Sequence, residues 1–489
     1  MPAQPTLRSP GVSRQTRLTA VIVASALFMQ NLDSTIIATA LPTMARSFGY
    51  DPVRMNVALT SYLLSLTVFI PASGWVADRF GTRNVFRGAI IVFTIGSILC
   101  GLSNGLPELV AARVLQGIGG AMMVPVGRLL LLRTAAKSEL VAAMAWLTMP
   151  ALLGPVVGPP VGGFIVTYFN WRWTFFINIP VGLIGIVAVS LFIQDFREPP
   201  RGAFDLRGLA LTGVALICVM FGLETVGRGL VSPELTEGMI TAGVAVGFLY
   251  YLHARRMDAP LLDFTLMKLP CFGLSFVAMM LFRTGIGAIP FLLPMMLQVG
   301  FGDAAVESGL ITFASSAGAL VMKPAAQYAL RLFGFRDTLM WNGVLSGIML
   351  TMCALFRPAW PAAAIYLVLL VGGFLRSLQF TAYNTLAYGD VPRPQMSAAT
   401  SLYTAGQQLA ATIGVSVGAL SLEVARTMSH HVTPENGDFS VAFVVVGLMT
   451  LAAAPIAFFM PITAGDDLTG RHATPVPSAT VVPAPRAAE

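Results

Sequence analysis

Charge is scarce in this chain. Of its 489 residues, 11% are Asp, Glu, Lys or Arg, where a soluble domain carries about 25%. That excludes an ordinary soluble protein and a disordered one. Cysteine and histidine are scarce too, at four each. Cys100, Cys218, Cys271 and Cys353 lie far apart, with no Cys-x-x-Cys, which argues against a disulfide framework or a dithiol motif. His253, His430, His431 and His472 all fall in predicted loops or tails. His430–His431 is their only cluster and reads as a solvated loop, because a metal site needs more ligands at defined spacing. No metal and no cofactor are expected. There is no P-loop and no His-Glu-x-x-His, so ATP-driven work is excluded within the chain. Gly414-Val-Ser416-Val-Gly418 has the spacing of a nucleophile elbow, but no strand precedes it and no span holds a histidine to act as base. The chain is not expected to be an enzyme. No polar basic segment has interleaved aromatics, so nucleic acid is not an expected partner either.

Apolar residues are abundant. They make up 56% of the chain, and mean hydropathy is +0.76. One membrane-spanning helix takes about 20 apolar residues, and the chain reads as fourteen such helices between 18 and 462, among them 140–168 and 306–330. The run after the basic segment 1–17 lacks a small-residue cleavage site and reads as a first span, not a signal peptide. The tail, 463–489, is rich in Pro, Ala and Thr and is expected to be disordered. The net charge is +7. With the N-terminus inside, nineteen Lys and Arg fall in inner segments and four in outer loops, which places both termini in the cytoplasm. Phe80-Gly81-Thr82-Arg83 is echoed by Phe333-Gly334-Phe335-Arg336, the first after the second helix and the second after the tenth. That spacing fits a parallel repeat of six helices with two extra helices between the copies.

Four stretches carry chemistry. The loop after the second helix holds Gly74, Asp78, Arg79, Gly81 and Arg83. Asp78 is not required by a positive-inside loop, and an acid there can hold a neighbouring helix in one state and release it in another. Arg113, in Arg113-Val-Leu-Gln116-Gly117, lies within an apolar run and needs a partner or a wet cavity. Gly154, Gly158 and Gly162 repeat every four residues and share a face for close packing; Pro155, Pro159 and Gly163 lie among them, and the prolines bend the helix. Asp33 lies near mid-membrane in the first span, beside Gln30, in Leu32–Pro42. An intramembrane carboxylate is a functional hypothesis by default: a proton carrier or a structural pair with a cation such as Arg113.

Together these stretches, with Trp171–Gly182, resemble the major facilitator superfamily, and within it the fourteen-helix branch of drug:proton antiporters. Asp78–Arg83 resembles the superfamily's gating loop, Arg113–Ala121 its helix 4 motif, Gly154–Gly163 the antiporter motif and Leu32–Pro42 the helix 1 motif of the branch. Ala38 and Asn84 depart from the usual residues, and Arg331 stands where the second copy of the loop would carry an acid. The resemblance implies an all-α membrane protein of two six-helix bundles plus two extra helices. It divides the chain into a cytoplasmic tail (1–17), an N-terminal bundle (18–195), a linker with the extra helices (196–256), a C-terminal bundle (257–462) and a cytoplasmic tail (463–489). It implies a proton-coupled antiporter that exports small organic molecules or drugs by alternating access across a bacterial inner membrane. Such a protein works as a monomer with substrate, protons and lipid as its partners. Asp33 and Arg113 are the expected proton-coupling residues.

The second half adds cations. Arg283 and Arg376 lie midway along their spans, Lys323 lies deeper, and Gln407 and Gln408 are central. Arg376, Gln379 and Tyr383 are spaced to share a face. The expected cavity therefore holds Gln30 and Asp33 on one side and Arg283, Arg376, Gln379, Tyr383 and Gln407 on the other. Buried arginines disfavour lipophilic cations. The alternative is therefore export of an endogenous organic anion or a metal chelate such as a polycarboxylate complex.

Overall fold

The computed structural model describes residues 13–50, 52–199, 202–225 and 232–469. Among them the secondary structure is entirely helical. Among the described residues twelve stretches are long and apolar enough to cross a membrane. The expected spans at 140–168 and 306–330 fold as helices of 29 residues without being among those twelve.

The first helices are α1 (Arg14–Phe48), α2 (Pro52–Phe69) continuing through a short turn into α3 (Ser73–Phe80), α4 (Thr82–Leu102), α5 (Leu106–Thr134), α6 (Leu140–Tyr168), α7 (Trp173–Phe176) and α8 (Asn178–Phe192). Then come α9 (Leu206–Thr225) and α10 (Pro233–Ala254). The later helices are α11 (Pro270–Gly287), α12 (Ile289–Met295), α13 (Ala305–Phe333), α14 (Phe335–Asp337), α15 (Gly343–Met352), α16 (Ala362–Leu386), α17 (Met396–Met428), α18 (Asn436–Ala452) and α19 (Asp466–Thr469).

Small residues set the closest helix pairs. Gly154, Gly158 and Gly162 of α6 face Asn31, Thr35 and Thr39 of α1, where an added Cβ would run into those side chains. The expected face is real, with α1 as its partner. Gly163 is not part of it, since a Cβ there would meet nothing within 4 Å. The side chains of Pro155 and Pro159 fall outside the described residues. In the later helices Gly318 and Gly373 play the same part between α13 and α16.

The extra helices α9 and α10 pack on each other, and α9 also lies against α2 and α17. The Ser416 hydroxyl of α17 donates to the Leu223 carbonyl at 2.9 Å. The Trp75 indole N–H donates to the Gly202 carbonyl at 3.0 Å, and its ring lies 5.0 Å from that of Phe204.

Both chain ends correct the expected tails. Helix α1 starts at Arg14, inside the expected tail 1–17; the Ser13 amide donates to Glu139 at 2.8 Å, and Ser13 caps the helix. At the other end 463–469 is ordered. Leu468 is buried, the Arg331 Nε donates to the Thr469 carbonyl at 3.0 Å, and α19 packs on α6, on α13 and on the turn at Lys137–Glu139. Apolar Leu468 and the left-handed Gly465 let the chain turn back onto the bundle. Residues 1–12 and 470–489 lie outside the described residues. The end of the molecule that carries both Ser13 and Thr469 is called the inner end below.

Candidate functional site: a cationic central cavity and two polar clusters

Asp33 and Arg113 meet, as expected, but away from the cavity. Arg113 Nη1 lies 2.7 Å from Asp33 Oδ2, and neither side chain is exposed. The pair sits in a shell that the sequence reading had not assembled. Gln116 Nε2 and Asn178 Nδ2 donate to Asp33 Oδ1 at 2.9 and 2.7 Å, and Arg113 donates to Gln116 Oε1 at 2.6 Å. Arg113 Nε donates to the Ala58 carbonyl at 3.2 Å, and the guanidinium stacks 4.2 Å from the Tyr62 ring centroid. Gln116 and Asn178 both lie within the quoted motif segments; only their function as donors to one carboxylate was invisible there. A polar group buried in an apolar setting is costly unless it is hydrogen-bonded, and these donors supply the bonds.

The segment Gly74–Arg83 is a junction. Gly81 adopts φ +88° beside the Asp195 carboxylate, where a side chain would collide. Asp195 Oδ1 accepts from the Arg83 amide at 3.1 Å. Asp78 pairs with Arg133 of α5 at 3.1 Å and accepts from the Ser397 hydroxyl of α17. Gly74 lets the α17 backbone pass at Ser397. Ser73 and Ser401 hydroxyls lie 2.8 Å apart. These bonds tie the first helices to the later ones at the inner end. Arg79 is exposed and takes no part in this junction.

Between the two groups of helices lies a cavity of about 500 Å³. Gln30, Arg283, Arg376 and Gln407 line it as expected. Asp33, Gln379 and Tyr383 do not. Helix α1 turns Leu27, Gln30, Asn31 and Ser34 to the cavity, so Asp33 is about 110° round the helix, toward α5 and α8. Helix α16 turns Gly373, Arg376, Ser377 and Phe380 inward, which puts Gln379 about 110° away by the same geometry. Gln379 is spent on helix packing: it donates to the Leu339 carbonyl at 2.9 Å and the Tyr383 hydroxyl at 3.1 Å, and accepts from Asn342 at 2.8 Å. Tyr383 is buried against Phe282.

Arg128 and Lys323 also line the cavity. Four basic side chains therefore face it, and among the described lining residues there is no carboxylate. Their partners are neutral. Arg376 donates to the Ser315 hydroxyl at 2.5 Å, and Lys323 to Thr381 at 3.0 Å. Arg283 lies 5.4 Å from the Phe380 ring centroid, and its Nε has no hydrogen-bond partner. Arg128 donates to the Tyr388 hydroxyl and Gln407 Oε1, each at 3.1 Å. A cleft lined by one sign of charge with low-dielectric walls concentrates the opposite sign.

Elsewhere His431 bonds Asp438 at 2.8 Å, and its Nε2 lies 3.5 Å from Glu435. Among the described residues no group of three or more His, Cys, Asp or Glu could hold a metal ion.

Comparison with known proteins agrees with this architecture. The chain is 38% identical over 446 residues to MdtD of Escherichia coli K12, a protein named for multidrug resistance, covering 91% of this chain and 94% of that one. It is equally similar to the MdtD of Shigella boydii serotype 18. In fold it resembles the human organic anion transporter MFSD10 (TETRAN), with a TM-score of 0.67 and 15% identity over 91% of this chain and 100% of that one. It also resembles the proton:xylose symporter XylE, with a TM-score of 0.63 and 16% identity over 93% and 98%. The profile described as Major Facilitator Superfamily matches residues 23–269 and 274–483. The chain, a multi-pass membrane protein, belongs to the major facilitator superfamily.

Proposed function

We propose that this protein is a proton-coupled antiporter that exports small organic molecules, and that its substrates are organic anions or metal chelates such as polycarboxylate complexes. The observation that carries the substrate class is the cavity lining of Arg128, Arg283, Lys323 and Arg376 with neutral partners only. A lipophilic cation placed there would meet four like charges; a carboxylate would find planar, bidentate partners. This departs from the relatives' multidrug name.

Fourteen spans, counting α6 and α13, form two six-helix bundles (18–195 and 257–462) with a linker (196–256) that adds α9 and α10. Both termini lie in the cytoplasm, as the loop charges favour, and the membrane is the bacterial inner membrane, so the inner end is cytoplasmic. The contacts of Asp78 and Arg128 close that end, which suits an outward-facing state. The bundles rock around the cavity. Asp33 takes a proton from the outside, which weakens its bond to Arg113, and loses it to the cytoplasm. Because Asp33 is behind the cavity wall, proton and substrate compete through the conformational equilibrium and not for the same atoms.

Proteoliposomes with an imposed pH gradient test this. Proton movement is followed while a tricarboxylate, with and without metal, or a lipophilic cation is added. Coupling to the anion alone supports the reading. Coupling to the cation alone overturns the substrate class, and transport without proton movement overturns antiport.

A further inference from the structure

Arg128 lies in the last third of α5, among the first helices. All its described bonds cross to the later ones. It donates to Tyr388 and Gln407, and its guanidinium lies 5.6 Å from the Tyr403 ring centroid. Gln407 in turn donates to Asn384 Oδ1 at 3.1 Å. The other three cavity cations, Arg283, Lys323 and Arg376, are all on the later helices. Among the described cavity residues, Arg128 is therefore the cation that the first helices contribute.

Its acceptors are a hydroxyl and an amide. Neither cancels the guanidinium charge, and a carboxylate is the stronger, bidentate partner. The same N–H donors can close the inner end or hold an anion, but not both at full strength. A ligand shifts a conformational equilibrium only through its differential affinity for the two states. An anion that takes Arg128 from Tyr388 and Gln407 has that differential affinity; a neutral molecule of equal size does not.

We propose that Arg128 is a specificity-determining residue that couples anion binding to release of the inner end, a substrate carboxylate displacing Tyr388 and Gln407 from its guanidinium. This rests on the anionic reading of the cavity. It makes the bond that closes the cavity the sensor of its content. The substrate is then held between Arg128 of one bundle and the cations of the other.

The test sets two ways of breaking the same bonds against each other. Binding of propane-1,2,3-tricarboxylate to the purified full chain is measured by calorimetry, and spin-label distances across the inner end report closure. Tyr388→Phe with Gln407→Ala removes the acceptors and keeps the cation. It should open the inner end and tighten the probe several-fold. Arg128→Gln also removes the bonds, yet it should weaken the probe by about tenfold or more. Arg128→Lys, which keeps the charge, should recover part of that loss. If both routes tighten binding, Arg128 is only a lock, and the inference is overturned while the anionic reading stands. If the double variant changes neither distance nor affinity, the bonds do not hold the inner end, and the inference is again overturned. If the wild type binds a lipophilic cation but not the tricarboxylate, the anionic reading itself fails and takes the inference with it.

Discussion

Asp33 and Arg113 form an ion pair of 2.7 Å in which neither side chain is exposed and neither faces the cavity. Removing one partner of a buried pair leaves the other uncompensated, at a cost of about 3–5 kcal/mol. Arg113→Ala should therefore lower the thermal stability of the detergent-solubilised protein sharply. Asp33→Asn keeps the hydrogen-bond acceptor and should bind substrate normally while losing proton-coupled transport. Full proton coupling in Asp33→Asn would remove Asp33 from the mechanism.

The helix pair α1–α6 makes a sharper distinction among neighbouring glycines. Gly158→Ala puts a methyl group into Thr35, and overpacking of this kind costs about 1–3 kcal/mol. Gly163→Ala meets nothing within 4 Å and should change stability by less than about 1 kcal/mol. Melting curves of the two variants side by side check this. Equal losses would mean that the α1 contact does not limit stability.

Asp78 bonds Arg133 among the first helices and Ser397 among the later ones. Hydrogen bonds to a charged group contribute about 1.5–3 kcal/mol, so Asp78→Ala should shift the equilibrium away from closure of the inner end by roughly tenfold or more. Longer spin-label distances across that end would show the shift. Unchanged distances would leave closure to Arg128 and α19.

His431 gives a pH signature outside the spans. Its hydrogen bond to Asp438 raises its pKa above the ordinary 6.5. A raised folded-state pKa gives stability that is complete below the unfolded value and is lost as pH rises through the folded one. The melting temperature of the wild type should therefore fall as pH rises above about 6.5, and His431→Ala should flatten that slope. The same slope in both proteins would place its origin in another group.

Lys323 has one described partner, the Thr381 hydroxyl. Lys323→Met keeps the bulk and removes the charge. It should weaken tricarboxylate binding by roughly tenfold and leave binding of a neutral solute unchanged. Equal weakening of both would show a loss of cavity shape, not of charge.

The sites differ in how far residue order alone reveals them. Gly154, Gly158 and Gly162 are legible as a packing face because a four-residue repeat on a helix has one meaning. Asp78 is legible because an acid in a basic loop has no default reason to be there. Asp33 was legible as an intramembrane carboxylate but not as a direction. Its residue type announces chemistry, and only the contact of α1 with α6 sets which way the helix is rotated. The rotation of α16 likewise keeps Gln379 and Tyr383 out of the cavity. The spacing of Arg376, Gln379 and Tyr383 is compatible with one face, but the face turned inward is Gly373, Arg376, Ser377 and Phe380. Arg128 was not assigned to the cavity, because residue order does not say which face of α5 is turned toward the later helices.

Membrane residence, helical class and the asymmetry of loop charge follow from the order of residues by itself, because the bilayer reads hydropathy along the chain and needs no long-range contact to do so. The rotation of each helix, the seal across the inner end and the removal of Asp33 from the described cavity lining were decided only in the tertiary structure. They depend on which glycines meet which residues across helices far apart in sequence, and about 110° of helix rotation separates Asp33 from the face of α1 turned to the cavity.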